Sequence, residues 1–253
     1  MSTIWIPPGV APGPVYGGTE WTEMRRGRVT ASRFGDIMTE PRSAADKARG
    51  AMSATAKGYL MEIVASTITG QDKVGGKSAA MDRGIDKESD AIDRYMVTKF
   101  VDVEKGRMLL KMGTLISATP DGFVEEDEMG PGLIEVKCPE SKTHLETFLT
   151  KQLPEDYLEQ VHGQMWVAGR TWCDFVSFDD RFPLPMQLVV IRVERDNDLI
   201  DRMAEKVHGF ADQVQAKVDQ LRQYLRECSP LEARVVHEAL QDPTEPLISQ
   251  PEA

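Results

Sequence analysis

Two stretches of the chain decide its fold: ATPDG at residues 118–122 and LIEVKCP at residues 133–139. In a β-strand, alternate side chains share a face, so the second stretch places Glu135 and Lys137 on the same side. The apolar side chains that flank Glu135 then point the other way, into apolar packing. A carboxylate and an ammonium held side by side on one strand are costly to arrange, which indicates that the pair is used.

A β-hairpin is expected to join the two stretches. The acidic, glycine-containing run 125–132 has the composition of a turn, and Pro120 holds the chain extended into Asp121. An antiparallel return brings Asp121 beside Glu135, where two carboxylates can share a hard divalent cation such as Mg²⁺. That arrangement is typical of metal-assisted phosphodiester hydrolysis. The alternative is an ordinary hairpin with a surface salt bridge.

Composition places the chain among soluble globular proteins. Of its 253 residues, 28% are charged and 41% are hydrophobic, which suffices for a full core. No apolar run approaches the ~20 residues that span a bilayer, and the N-terminus lacks the features of a signal peptide. We therefore expect a cytosolic protein with no membrane partner. Three widely spaced cysteines without a C-x-x-C predict neither a disulfide framework nor a zinc or iron–sulfur site.

The net charge of −11 counts against binding to nucleic acid, for which a basic surface is usual. The position of the acids weakens this objection. From Glu227 to the end of the chain there are six acids and one arginine, Arg234, so −5 of the charge lies there. A local basic path for DNA therefore stays compatible with the sequence.

The chain is predicted to form one domain with two loose ends. Residues 1–19 are rich in Pro and Gly and predict an extended or loosely packed arm. We expect a single domain at 20–226 and a flexible acidic tail at 227–253. Loops are predicted at 41–53, expected to be mobile, and at 70–80.

Hydrophobic periodicity predicts the regular elements, with Gly70 ending the first long helix. The final helix has apolar residues in alternating steps of three and four, which favours packing along a domain edge over a subunit seam. The predicted helices are at about 56–68, 81 or 87 to 100, 156–168 and 198–226, and the predicted strands at about 107–111, 113–118, 121–125, 132–138, 172–178 and 187–194.

The segment from Arg25 to Ser32 has the features of an anion site. Apolar residues follow Ser32 at helical spacing, so Thr30 or Ser32 is a candidate helix N-cap. A helix N-terminus with two hydroxyls and nearby arginines can bind an anion. The alternative is an ordinary capped helix with solvated arginines.

Five separate segments, in this order, resemble the YqaJ-like viral recombinases, the family of phage lambda exonuclease in the PD-(D/E)xK nuclease superfamily. The resemblance runs from about Trp21 to Phe210. Its motifs are Arg25-x-Gly27-x-Val29-Thr30-Ala31-Ser32, Gly84-x-x-x-Glu88-x-Asp90-Ala91, Ser117-x-x-Pro120-Asp121-Gly122, Glu135-x-Lys137-Cys138-Pro139 and Gln160-Val161-x-x-x-Met165-Trp166-Val167. The acidic loop 125–128 and the overall acidity depart from the pattern.

The resemblance implies an α/β fold with a PD-(D/E)xK restriction-endonuclease-like core, a central mixed β-sheet of about five strands flanked by helices. It also implies a metal site and catalytic groups. The implied metal ligands are Asp121, Glu135, the backbone carbonyl of Val136 and Glu88, for one or two Mg²⁺ ions that Mn²⁺ can replace. Lys137 would position and help deprotonate water or steady charge on the phosphate, and Gln160 would orient water or Lys137.

The activity implied is processive 5′→3′ digestion of one strand of double-stranded DNA, which leaves 3′ overhangs for a single-strand annealing protein. Relatives form ring-shaped trimers, and a phage-encoded protein would act in the host cytoplasm. An enzyme that moves one way must recognise the DNA end where it starts. For that 5′-phosphate we expect Arg25, Thr30 and Ser32 to be the binding residues.

Two other functions stay open from the sequence. One is an endonuclease or nickase of the same fold, which a long DNA-wrapping insertion would favour, and none is evident. The other is a non-catalytic module that binds DNA ends or protein, for which a lost acid or lysine would be the sign. Here the whole set is intact. No Gly-x-Ser-x-Gly motif supports a catalytic triad.

Overall fold

The computed structural model describes residues 4–72 and 79–227 of the chain. The predicted tail therefore lies outside the described residues, except for Glu227. Residues 73–78 of the predicted loop 70–80 lie outside them as well. The elements, in chain order, are β1 (Val10–Val15), α1 (Thr19–Arg25), β2 (Val29–Thr30), α2 (Phe34–Met38), α3 (Ala44–Ala48), α4 (Ala54–Thr69), α5 (Ala79–Lys99), β3 (Glu104–Lys105), β4 (Arg107–Lys111), β5 (Ile116–Ala118), β6 (Gly122–Val124), β7 (Gly132–Lys137), α6 (Ser141–Thr150), α7 (Leu158–Ala168), β8 (Trp172–Phe178), β9 (Leu188–Glu194) and α8 (Asn197–Glu227).

The larger sheet has five strands in the order β3-β6-β7-β8-β9. Strands β7 and β8 run parallel, and the other neighbours are antiparallel. The predicted mixed sheet of about five strands is thereby confirmed. In the centre, β7 lies between its hairpin partner β6 and β8. It is buried on both faces, as a central strand covered by helices must be.

Packing on the two faces of β7 follows the alternation of its side chains. Leu133 belongs to the core cluster that includes residues of α4, α7 and α8. Ile134 and Val136 belong to a second cluster with Ala91 and Tyr95 of α5. The prediction that Ile134 and Val136 face apolar packing is therefore confirmed. Glu135 is left on the face of β7 that α7 covers.

A second sheet of four strands, in the order β1-β4-β5-β2, was not predicted. Its edge strand β1 comes from the Pro/Gly-rich arm and pairs antiparallel with β4. The pairing shifts register between Pro12 and Val15, where proline removes a backbone donor. Part of the arm, 10–15, is thus extended as expected but joined to a sheet. The division into arm, domain and tail stays a prediction.

The four long predicted helices lie close to their predicted positions, as α4, α5, α7 and α8, and three helices were not predicted, namely α1, α3 and α6. Gly70 ends α4 with φ at +66°, a left-handed conformation that glycine adopts without strain, which confirms the predicted helix stop. The short helix α3 lies inside the predicted loop 41–53, and α6 follows the hairpin where no helix was predicted. No helix within residues 4–72 and 79–227 combines the length and the apolar character that a membrane crossing needs.

The acidic loop after β6 is tied to the protein by two arginines. Arg170, fully buried, pairs with Glu125. Arg192 donates to Asp127 at 3.2 Å and lies 3.6 Å from the centre of the Trp172 ring. These ion pairs compensate part of the acidic run, which in the sequence looks like a block of unbalanced negative charge.

Candidate active site

The hairpin of β6 and β7 brings the two predicted acids together. Gly122 pairs with Ile134, and the Asp121 N–H donates to the Ile134 carbonyl at 3.2 Å. Asp121 therefore lies opposite Glu135. Its carboxylate accepts a hydrogen bond of 2.7 Å from the backbone N–H of Val136, which fixes its orientation. The predicted hairpin is confirmed, and Asp121 and Glu135 are neighbours.

Glu135 makes more side-chain hydrogen bonds than the other acids of the site. The residue is only 1% exposed. One oxygen accepts from the ammonium of Lys137 and from the amide of Gln160. The other accepts from the amide of Gln164 at 2.6 Å. A buried carboxylate that accepts hydrogen bonds from one cation and two amides has its position set before any ligand arrives.

Glu88, from α5, is the third acid of the group. It lines a cleft of about 480 Å³ together with Asp121. Burial raises the pKa of Glu88 above its usual value, and the Glu135 carboxylate raises it further. Burial and Glu135 likewise raise the pKa of Asp121 well above its usual range. Both shifts indicate negative charge concentrated where water is partly excluded.

The chemistry of these donors fits a hard divalent cation. Carboxylate and carbonyl oxygens are the ligands that Mg²⁺ takes in proteins, and the repulsion that raises the pKa of Asp121 would be relieved by a cation. The backbone carbonyl of Val136 belongs to the residue whose N–H binds Asp121. In the conformation described for 4–72 and 79–227, no three His, Cys, Asp or Glu side chains form a ready-made ligand cluster.

Lys137 stays positively charged in this setting. Burial alone would lower the pKa of its ammonium, but the carboxylates of Glu135 and Asp121 outweigh burial and raise it. The ammonium also lies 5.3 Å from the centre of the Tyr157 ring, whose π-face favours a cation. A protonated lysine is a hydrogen-bond donor.

Gln164 is a site residue whose role the sequence analysis missed. It lies one turn after Gln160 on α7, a spacing that marks the two as neighbours and that is visible in the sequence. Its amide N–H₂ donates to Glu135 and to the Thr119 carbonyl at 3.3 Å, so it joins both halves of the site. Its own carbonyl oxygen is buried without a hydrogen-bond partner among the described residues.

Arg25, Thr30 and Ser32 form a second cluster. The Arg25 guanidinium lies 3.4 Å from both hydroxyls, which are 3.1 Å from each other. Neither hydroxyl caps a helix, which corrects the N-cap prediction: Thr30 precedes a single 3₁₀ turn, and its side chain makes no capping hydrogen bond.

Two connections join this cluster to the carboxylates. The Trp21 indole N–H donates to the Thr119 hydroxyl at 3.2 Å, two residues before Asp121, and the Arg25 guanidinium lies 5.4 Å from the Trp21 ring centre. On the other side, Ser32 and Gln160 line one cleft of about 470 Å³. The structure therefore brings all predicted site residues into two adjoining groups, with Glu88, Asp121, Glu135, Val136, Lys137 and Gln160 in one and the anion cluster in the other.

A central mixed sheet whose hairpin carries Asp121, Glu135 and Lys137 between flanking helices defines the PD-(D/E)xK class of nucleases. Within that class, a model of the YqaJ-like viral recombinase domain matches residues 20–171, more than half of the chain. The chain belongs to this family.

Two solved structures show the likeness in three dimensions. An alkaline exonuclease from Laribacter hongkongensis, also solved in complex with dAMP, is 35% identical, with a TM-score of 0.71 over 82% of this chain and 97% of that one. A phage-related exonuclease from Haemophilus somnus is 21% identical, with a TM-score of 0.58 over 77% of this chain and 96% of that one, and shares the fold. A comparison with curated proteins gives no match.

Proposed function

We propose that this nuclease is a metal-dependent exonuclease that digests one strand of double-stranded DNA from its 5′ end and leaves a 3′ overhang. Its family and fold make it a nuclease that acts on DNA. The observation that carries the finer proposal is the fixed pair of Asp121 and Glu135 beside a charged lysine. The likeness to an alkaline exonuclease supports digestion from an end over cleavage within the strand.

The metal would be held by Asp121, Glu135, the carbonyl of Val136 and Glu88, as Mg²⁺ or in its place Mn²⁺. When bound, it supplies Lewis-acid activation of water and neutralises charge on the attacked phosphate. Asp121 is held by the Val136 N–H, and Glu135 by Lys137 and two amides, so the ligands are oriented by the chain itself. Glu88 reaches the same cleft from α5.

Lys137 acts in this proposal as a hydrogen-bond donor that stabilises negative charge. Its ammonium holds Glu135 and is close enough to the cleft to stabilise negative charge that develops on a phosphate. Of the two roles that the sequence left open, the ion pair with Glu135 supports stabilisation of charge on the phosphate more directly than deprotonation of water. Gln160 and Gln164 hold Glu135 from the other side and are positioning residues.

The test of this function is digestion of linear duplex DNA labelled at one 5′ end or one 3′ end. In Mg²⁺ we expect early release of the 5′ label and retention of the 3′ label, and no cleavage of a covalently closed circle. Ca²⁺ should support binding with little digestion. Digestion that persists in excess EDTA would exclude the metal, cleavage of the circle would favour an endonuclease, and binding without digestion would favour a non-catalytic module.

Recognition of the 5′-phosphate is assigned in this proposal to Arg25, Thr30 and Ser32. A guanidinium beside two hydroxyls offers charge-assisted hydrogen bonds to an anion. The alternative of a solvated arginine is less well supported, because Arg25 is partly buried and contacts both hydroxyls and the Trp21 ring. The cleft shared by Ser32 and Gln160 adjoins the carboxylates, as an end-recognition site must.

Duplexes with 5′-phosphate ends are expected to be digested much faster than duplexes with 5′-hydroxyl ends, and Arg25→Ala should erase most of that preference. A lost charge-assisted contact costs about 1.5–3 kcal/mol, roughly tenfold or more in rate. The measurement compares four digestion rates: duplexes with 5′-phosphate ends and duplexes with 5′-hydroxyl ends, each with the wild type and with Arg25→Ala. Arg26→Ala is the matched control, since Arg26 is the next residue and pairs with Asp72.

A wild type that ignores the 5′-phosphate, or an Arg25→Ala variant that keeps the full preference, would show that polarity arises elsewhere. Loss of the preference in Arg26→Ala as well would indicate a general effect of positive charge near this surface and would also count against a specific pocket.

The proposed assembly is a homotrimeric ring, which would keep the enzyme on DNA between cleavage steps, with a single-strand annealing protein as the partner that takes the 3′ overhang. Light scattering or sedimentation is expected to give about three times the 28.2 kDa of one chain. A strict monomer at micromolar concentration that still digests DNA processively would contradict the ring.

A further inference from the structure

The cleft that holds Glu88 and Asp121 also contains two groups with no assigned role. They are the phenol of Tyr16 and the ammonium of Lys105. Acids and apolar side chains make up most of the remaining wall. Among the described residues of the cleft, Lys105 carries the one positive charge. A phosphate entering here meets few groups that can donate a hydrogen bond to it.

Tyr16 is placed in the cleft by a fixed backbone connection. Its N–H donates to the Gly106 carbonyl at 3.1 Å, and the Gly106 N–H donates to the Asp121 carbonyl at 3.0 Å. A Cβ at Gly106 would lie 2.0 Å from the Pro120 carbonyl oxygen, so only glycine permits this approach. The end of β1 is therefore attached, through one glycine, to the residue that carries the catalytic carboxylate.

The side chain of Tyr16 is held but its hydroxyl is available. Its ring packs edge-on against Trp21, with ring centres 4.9 Å apart. A phenol is neutral at physiological pH, so the hydroxyl is a hydrogen-bond donor. No described residue forms a hydrogen bond with it.

Lys105 enters the cleft from the facing strand. Lys105 lies opposite Gly122 in the pairing of β3 with β6, and Gly122 is the residue that follows Asp121 in the chain. Its charge acts on Glu88, whose pKa it lowers in opposition to burial and to Glu135. Within residues 4–72 and 79–227, no salt bridge involves Lys105, so its ammonium can contact an incoming anion.

We propose that the Tyr16 hydroxyl and the Lys105 ammonium bind a phosphate group of the DNA strand where it passes the carboxylate cleft. The inference rests on the proposed function and adds a substrate contact to it. Phosphate oxygens accept hydrogen bonds, and a neutral phenol beside a cation supplies donors in a wall that is otherwise negative.

The test compares Tyr16→Phe and Lys105→Gln with wild type in Ca²⁺, by fluorescence anisotropy of a 5′-phosphorylated duplex. Tyr16→Phe keeps the ring on Trp21 and removes one charge-assisted hydrogen bond, so affinity should fall about tenfold with unchanged salt dependence. Lys105→Gln should weaken binding and lower the slope of log affinity against log salt by about one. Tyr224→Phe, on a tyrosine 65% exposed on α8, is the matched control and should bind as wild type.

Equal affinity of Tyr16→Phe and wild type would overturn the proposal, as would an equal loss in Tyr224→Phe. Thermal melting shows whether either cleft variant is misfolded. If Tyr16→Phe is misfolded, an unchanged salt slope in Lys105→Gln overturns the proposal and a slope reduced by about one supports it. Affinity is measured without cleavage, so these results do not depend on whether the protein is an exonuclease. The proposed exonuclease function is contradicted separately, if wild type does not digest the same duplex in Mg²⁺.

Discussion

Replacing Asp121 by Asn is expected to abolish DNA digestion and, in EDTA, to raise the melting temperature. In the proposed mechanism, digestion needs the Asp121 carboxylate as a metal ligand. Without metal, the same carboxylate is partly buried near Glu135 and Glu88, and its raised pKa means that ionising it disfavours the folded state. This cost is absent at low pH and grows as pH rises through the raised pKa. Asparagine removes the charge and can still accept from the Val136 N–H.

Glu135→Gln should also abolish digestion, but it should lower the melting temperature. The neutral amide leaves the Lys137 ammonium without its closest carboxylate and turns an N–H₂ group toward one of two glutamine donors. The two isosteric changes therefore have the same effect on activity and opposite effects on stability. Digestion assays and thermal melts in EDTA, at neutral pH, measure both.

The matched control is Asp212→Asn, at an exposed aspartate of α8, which should leave digestion and melting unchanged. A fully active Asp121→Asn would exclude Asp121 as a metal ligand. A melting temperature that falls in Asp121→Asn as it does in Glu135→Gln would show that the Asp121 carboxylate stabilises the fold rather than strains it.

Lys137→Arg is expected to reduce digestion by on the order of 10²-fold or more, since removal of a positioned catalytic group has effects of this size. The charge is kept, but a planar guanidinium cannot place a compact donor between Glu135 and the Tyr157 ring. Initial rates under saturating DNA measure the effect. Lys142→Arg, at a lysine whose side chain is 88% exposed, is the control and should be fully active.

Near-wild-type digestion by Lys137→Arg would reduce Lys137 to a structural partner of Glu135. Loss of DNA binding in Ca²⁺, with the chemical step intact, would assign it to substrate affinity instead. The proposed role requires that the rate falls at saturating DNA while affinity changes little.

The sequence predicts the parts of the site that depend on local spacing. The alternation around Glu135 and the turn at 125–132 are enough to place Asp121 beside it, because a hairpin is a local structure. The long helices and the single strands follow from hydrophobic period, whereas the five-stranded sheet was predicted from the family resemblance. Strand β1 could not be predicted, because its sequence VAPGPV has low strand propensity and its partner β4 is distant in the chain.

Contacts between distant segments account for the other omissions. Gln164 stands beside Gln160 in the helix pattern, but only folding shows that its amide reaches both Glu135 and Thr119. The acidic run at 125–128 looks unbalanced until Arg170 and Arg192 are found against it. The N-cap prediction failed because a 3₁₀ turn at 31–33 includes Ser32 and separates Thr30 from α2, whose N-cap position is Arg33.

The parallel pairing of β7 with β8 has a consequence for how the enzyme matures during synthesis. The hairpin is complete once the chain has passed residue 137, but Gln160 and Gln164 arrive later, on the crossover helix α7 that leads into β8. Closing that non-local pairing is a slower step than forming a hairpin. A nascent chain therefore carries its acids before it carries the amides that fix Glu135, and a ribosome-bound fragment ending before residue 158 is expected to be inactive as a nuclease.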